Sequence, residues 1–429
     1  MPKSKVKKLN IIDLFAGCGG LTEGFESIHL FDTLACIEWD ESSALTLAKR
    51  LKERWNYSDA DKRVLRFDVQ RTKELFSGWN DKEFGVGVGL DKLVDQNGNG
   101  RVDLIVGGPP CQAYSIAGRI RDENGMEDDY RNFLFEKYIE IVSHFNPKII
   151  VFENVPGMLS ATPGGVSIVE RIHERFDKAG YEVIDDFRKY AIVDAADYGV
   201  PQYRKRLVIV GLAKDFFPGN RQEILKEFYL NILPSLRTDK KITVADAISD
   251  LPKIKKGEQV KESKIKNHVP RNHSERDSKI FKELALDVLR DKRKYASVAA
   301  IRELYTERTG KTSSVHKYHV LESNKPSSTI VAHLHKDGLR HIHPDPSQAR
   351  SITVREAARL QSFPDDFEFM GSMGDQYKMV GNAVPPKLAE AIARSVAQLL
   401  VKHIQNPTYA TILQQGLYTP TERPGTRLS

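Results

Sequence analysis

The chain is poor in cysteine: three residues, Cys18, Cys36 and Cys111, stand among 429. Their spacing makes neither a metal-ligand pattern nor a disulfide framework, and a reducing cytoplasm fits them. Long apolar runs are missing as well, since no stretch approaches the roughly 18 residues that a bilayer span requires. The opening segment, Met1 to Asn10, carries Lys3, Lys5, Lys7 and Lys8 but no apolar core of a secretory signal. No membrane partner is therefore expected. Nor is there an excess of acid. The formal net charge is +7, and residues 213–349 hold 27 Lys and Arg against 18 Asp and Glu, leaving the remainder close to −2. A basic block beside a near-neutral one points to a polyanion, most simply nucleic acid, with a solvated lysine-rich surface as the alternative. With 40% hydrophobic and 29% charged residues, the composition is that of an ordinary globular protein. The length suggests two domains.

What is present is organised around Gly107-Gly108-Pro109-Pro110-Cys111-Gln112-Ala113-Tyr114-Ser115. The run before it, Val102 to Val106, is apolar and reads as a buried parallel strand. Two glycines let the backbone leave that strand in unusual dihedrals, and two prolines stiffen the loop. Cys111 is thereby offered just beyond a strand's carboxyl end, where open α/β sheets bind ligands. A small buried hydrophobe is the other role open to such a cysteine.

From the start, Leu9 to Phe15 reads as a strand, Ala16 to Gly24 as a glycine-rich turn, and Thr33 to Glu38 as a second strand ending in an acid. That order is how α/β folds hold an adenosine, the acid accepting from the ribose hydroxyls. Glu38 takes that part here, Trp39 can stack on the adenine, and Asp68 can accept from its amino group. For Trp39, packing in the core is the alternative. Residues 80–100 look like a turn-rich surface insertion. A helix over 132–145 and a strand over 148–152 lead to Glu153, and a helix over 167–179 to strands at 181–187 and 207–212. Gln202, Arg204 and Arg206 alternate onto one face, as plain surface or as a clamp for a carbonyl and a phosphate.

Beyond 213 the α/β rhythm lapses, with a helix near Ile280 to Leu289 and eight of the twelve histidines. His333, His335, His341 and His343 have few acidic or cysteine co-ligands and match no ligand spacing, so no metal site is expected, and a loop touching nucleic acid is preferred. Residues in 267–276 and 333–343 are the candidates for that contact. Regularity returns with a Thr-capped helix over 350–361 and with Gly381 to Pro386, which opens an alanine-rich helix to about Leu400. Residues 405–429 read as a tail.

Together these motifs resemble the bacterial-type DNA cytosine-5 methyltransferases over nearly the whole chain. The matching stretches fall in the family's order: Asp13 to Phe25, Glu38 to Asp40, Gly107 to Ser115, Glu153 to Gly157, Gln202 to Arg206, Arg350 to Asp365, and Gly381 to Pro386. The resemblance implies an α/β, Rossmann-like S-adenosylmethionine-dependent domain with a mixed, mostly parallel sheet, plus a smaller irregular target-recognition domain. Residues 1–212, completed by 375–404, would form the first, 213–349 the second, and 350–374 a hinge helix region. It implies Cys111, Glu153, Arg204 and Arg206 as catalytic. Phe15, Ala16, Gly17, Gly19, Gly20, Leu21, Glu38, Trp39, Asp68, Val69, Pro109, Asn382 and Val384 would hold the cofactor. The expected partner is double-stranded DNA, met by a monomer in the bacterial cytoplasm, with a companion restriction endonuclease on the same site as one setting and an orphan methylase as the other.

The chemistry asks for the same residues. Carbon 5 of cytosine becomes nucleophilic once a thiolate has added at carbon 6, and cysteine suits both addition and departure. A neighbouring carboxyl can neutralise the ring nitrogen during addition. An RNA cytosine methyltransferase on this scaffold and a silent, cofactor-binding DNA adaptor are the competing readings. The large basic segment disfavours the first, and the intact Cys111 and Glu153 disfavour the second.

Overall fold

The computed structural model describes residues 8–110, 134–162, 165–254, 265–312, 318–336 and 338–403. The sheet begins with β1 (Leu9–Leu14), buried along its length, and β2 (Phe31–Glu38). Then come β3 (Val64–Arg66), a small hairpin of β4 (Trp79–Asp81) and β5 (Gly85–Gly87), β6 (Leu104–Gly107) and β7 (Ile149–Asn154). Finally come β8 (Tyr181–Val183), β9 (Ile192–Asp194) and β10 (Lys205–Ala213). Eight of these form one sheet in the order β3-β2-β1-β6-β7-β10-β8, with β9 also paired to β10. Strands β3 to β7 along that path run parallel, and β10 runs antiparallel to β7, β8 and β9. Apolar β-branched runs without polar alternation account for the parallel part, since helices cover both faces.

Helices α1 (Gly20–Glu26) and α2 (Glu41–Glu53) follow the first two strands. α2 starts where it does because the Asp40 carboxylate accepts from Ser43 N, satisfying an end group of the helix. Of residues 80–100, the hairpin stretch 80–88 lies at the surface, as expected of an insertion, whereas 89–98 pack on the core. They include α3 (Leu90–Gly98), with Leu90, Leu93 and Val94 buried in the main core. Those three recur at helical spacing, and Asn99, at φ 51°, stops the helix in the left-handed region. α4 (Leu134–Phe145) and α5 (Ile168–Lys178) come next. The strand expected over 181–187 ends at Val183, and Asp186 caps a short turn of helix at Phe187–Tyr190.

The main core does not stop at 212: Phe217, Ile224, Leu225, Phe228 and Leu233 are buried within it. A second core gathers Val244, Ile248, Leu321, Ile330, Ile352, Phe363 and Tyr377, so the 350–374 stretch is packed there. A third sits between α6 (Glu275–Leu289) and α7 (Val298–Thr309), around Phe281, Leu304 and Tyr318. Thr353 closes a capping box on α8 (Val354–Leu360). α9 (Met373–Asn382), which no expectation included, is capped by Ser372 and Asp375, and Gly381 within its last turn disguised it. α10 (Pro386–His403) returns to the first core. Its approach is backbone-close: a Cβ on Gly24 would lie 2.3 Å from Ala389 Cβ, and one on Gly20 2.2 Å from Val384 O. The start of α10 and the turn before it thus lie directly on α1.

Asp13, in the middle of β1's carboxyl half, is buried, with Thr22 Oγ1 donating to its Oδ2 at 2.6 Å. Its Oδ1 has no hydrogen-bond partner among the described residues. Burial, opposed by Thr22, pushes its carboxyl up to about 7. Between the ordinary carboxylate range and that value the folded chain holds a proton that the unfolded chain has released, so this group's effect on stability worsens as pH rises through the window. Asp13→Asn should remove that slope. In urea denaturation at several pH values, the variant is expected to gain on the parent by up to about 4 kcal/mol between pH 4 and 8.

Candidate active site

A cavity of about 300 Å³ opens at the carboxyl ends of β1, β2, β6 and β7, the edge where open α/β sheets bind ligands. One wall is the turn after β1, where Phe15 takes φ 58° and Gly17 φ 57°. Glu38 ends β2 and fixes that turn: its Oε2 accepts from Gly17 N and its Oε1 from Asp40 N, both at 2.7 Å. Burial raises the Glu38 carboxyl above its usual range, against the pull of these N–H donors. Trp39 is 49% exposed at the rim, so its ring is available to a flat ligand instead of serving as core. Asp40 lines the same wall, capping α2 and facing Lys378 Nζ at 3.3 Å. Against the cost of burial, Ser43 and Lys378 hold Asp40 below its usual range.

The opposite wall is Glu153, Asn154 and Val155 after β7, facing Gly108, Pro109 and Pro110 after β6. Asn154 Nδ2 donates to Pro109 O at 3.2 Å and ties the two loops together. Arg206 Nε sits 2.8 Å from Glu153 Oε1, and both side chains are close to 10% exposed (12% and 11%). Burial raises the Glu153 carboxyl, while Arg206 and then Arg204 pull it back. Among the described lining residues, Glu153 is thus matched by Arg206 and Asp40 by Lys378. Glu38 alone is held only by backbone N–H groups, leaving the cavity a net negative site suited to a cationic ligand.

Phe15, Ala16, Gly17, Gly20, Leu21, Glu38, Trp39, Val69, Pro109, Asn382 and Val384 line this cavity, as do Glu153 and Arg206. Three expected residues do not. Asp68 turns back to accept from Gln70 N at 2.9 Å, while its neighbours Phe67 and Val69 form the wall. Gly19 caps α1, where its φ of 93° and a would-be Cβ 2.4 Å from Leu47 require a glycine. Arg204 is 1% exposed and turned away from the cavity, donating to Ile330 O at 2.7 Å, Gly381 O at 2.9 Å and Ala383 O at 3.0 Å. Tertiary carbonyls claim its guanidinium. Cys111 lies outside the described residues; Pro110, beside it in sequence, is on the wall.

Sequence reasoning missed Cys18, Asp40, Ser43, Lys378 and Met379, all on the wall. The Asp40–Ser43 cap was legible as Asp-x-x-Ser directly after Glu38-Trp39; Lys378 left no such signal. Several candidates for nucleic-acid contact are turned inward. Asn267 bonds both Phe369 O and N, His268 bonds Thr353 and Pro252, and His341 and His343 are buried. Asn272, Arg276, His333 and Arg340 remain exposed.

Cavity and sheet order together define an α/β methyltransferase fold. The C-5 cytosine-specific DNA methylase family matches residues 9–78 and 88–398, and the chain belongs to that family. It is 34% identical to the type II methyltransferase M.Bpa9945I of Bacillus paralicheniformis, over 92% of this chain and 99% of that protein. It superimposes with a TM-score of 0.57 and 25% identity on a DNA modification methyltransferase encoded within an E. coli prophage, covering 92% and 99% of the two chains. The S. pombe Dnmt2 methyltransferase shares the fold, with a TM-score of 0.52 and 15% identity over 92% of this chain and 99% of that one.

Gly108 leaves Glu153 its position, since an added Cβ would meet Glu153 Oε2 at 2.7 Å. Gly108→Ala should displace the carboxylate and lower methyl incorporation into DNA by about 100-fold, the usual cost of an ångström's misplacement. Thermal melting, little changed, separates this from unfolding.

Proposed function

We propose that this chain transfers a methyl group from S-adenosylmethionine to carbon 5 of a cytosine within a specific duplex sequence. The observation that carries the reading is the cavity itself. It pairs a buried Glu153–Arg206 couple on one wall with Glu38 and an open Trp39 face on the other. An adenosine-bearing cation and a pyrimidine together match those two walls in charge and shape. S-adenosylmethionine, when bound, supplies an electrophilic methyl. Glu38 would accept from its ribose hydroxyls, Trp39 would stack on its adenine, and the turn from Phe15 to Leu21 with Pro109, Val69, Asn382 and Val384 would enclose it.

The chain's own part in the chemistry is to raise the nucleophilicity of the base. The Cys111 thiolate adds at carbon 6, and Glu153, whose carboxyl burial raises while Arg206 and Arg204 lower it, hydrogen-bonds the ring nitrogen and neutralises it as the adduct forms. Arg206, fixed by Glu153, holds the base's carbonyl oxygen. Loss of the carbon-5 proton then expels the thiolate. A cytosine within a duplex is out of reach, so the base is flipped outward at a cost of a few kcal/mol. The basic segment 213–349 supplies phosphate contacts and site choice, and the core formed by the first part of the chain with α10 supplies the chemistry. The type II naming of relatives supports a companion restriction endonuclease acting on the same site.

Bisulfite sequencing of plasmid from cells expressing the chain should show one fully converted-resistant sequence context; absence of any protected cytosine would overturn the reading. DNA carrying 5-fluorocytosine in that context should accumulate a complex that survives denaturation, and Cys111→Ser should abolish it. Normal turnover by that variant would remove Cys111 from the mechanism. Glu38→Ala should weaken donor binding in calorimetry by about 1–3 kcal/mol, the cost of stranding buried hydrogen-bonding groups.

A further inference from the structure

Arg204 lies at a junction between the cavity wall and the 330–335 segment. Its guanidinium bonds Ile330 O, and also Gly381 O and Ala383 O on either side of Asn382, a residue of the cavity wall. Gln202 reinforces the junction: its Oε1 accepts from Ile330 N at 2.8 Å, and its Nε2 donates to Leu360 O and Gln361 Oε1. Gln361 Nε2 in turn donates to Val380 O at 2.7 Å. The two backbones also touch without any side chain between them. A Cβ on Gly381 would lie 2.4 Å from both Ala332 N and Val331 C. Residues 332–335 form a short 3-10 helix whose Leu334 is buried while His333 is exposed. One face of this segment is therefore open to a polyanion, and the other rests on the turn that shapes the cofactor wall.

We infer that Arg204 is a positioning residue that couples DNA held by the 330–335 segment to the cofactor pocket, so that each ligand tightens the other. The physical basis is geometric. A shift of Ile330 to Ala332 cannot be absorbed by compression against Gly381, and Arg204 ties the carbonyls on both sides of the contact to one rigid planar group. Movement on one side is thus transmitted to Asn382, and such coupling is reciprocal. A lysine in its place carries its three donors on one nitrogen and cannot span carbonyls that the two terminal nitrogens of Arg204 reach separately.

The inference rests on the reading that the chain binds both duplex DNA and S-adenosylmethionine. It is tested by calorimetry with S-adenosylhomocysteine, the demethylated product, alone and in the presence of a duplex bearing the site mapped by bisulfite sequencing. A scrambled duplex is the control. The parent chain is expected to bind S-adenosylhomocysteine about 5- to 150-fold more tightly with the cognate duplex, the usual span of such couplings. Arg204→Lys, and independently Gly381→Ala, should bring that ratio close to one while each separate affinity falls much less. Melting temperature near the parent's for at least one of the two variants keeps folding apart from coupling. A variant that retains the parent's ratio overturns the inference, as does a parent that binds both ligands independently; a parent that binds neither overturns the underlying reading instead.

Discussion

Loops brought indoors need donors, and buried arginines meet that need throughout the second half of this molecule. Irregular segments carry peptide carbonyls into the interior without a sheet or helix to satisfy them, and each left unpaired is costly. Arg204 gathers the carbonyls of Ile330, Gly381 and Ala383, and Arg355, fully buried, those of Lys266, Pro364 and Phe367. Arg350 takes a different partner, meeting both oxygens of the buried Glu356 at 2.7 Å, and Glu356 is pushed down to about 2, its burial overcome by that pair. The planar fork of five donors is what allows one side chain to fix several strands of irregular chain.

The same economy governs the cavity. Its carboxylates are not free charges: Glu38 is held by two backbone N–H groups, Asp40 by its helix cap and Lys378, Glu153 by Arg206. Each acid is thereby oriented before any ligand arrives, which lowers the ordering cost of binding. Glycines supply the remaining precision. Gly20 and Gly24 let Val384 and Ala389 lie directly on α1, and Gly108 lets the loop after β6 reach Glu153.

How much of this was legible from the residues differs by segment. The strands at Leu9–Leu14 and Ile149–Asn154 and the capped helix after Thr353 followed from local pattern, because burial on both faces and end capping leave marks within a few residues. The helix at Leu90–Gly98 was hidden by its polar flanks, and the helix at Met373–Asn382 by a glycine that serves a neighbouring backbone. Asp68 and Arg204 were assigned to the site by motif, yet Asp68 turns to its own loop and Arg204 to distant carbonyls. A motif marks position along the chain; it does not say which way a side chain faces.

By itself the sequence determined the main strands, the glycine-rich turn after the first of them, the acid that ends the second, and the family to which the chain belongs. These depend on local stereochemistry and on motif order, both of which are written along one dimension. Only the tertiary structure decided that the main core continues to Leu233, that His341 and His343 are interior, and that Lys378 reaches Asp40 from 338 residues away. Such facts depend on which distant surfaces exclude water from one another, and burial of that kind is a property of the packed chain as a whole.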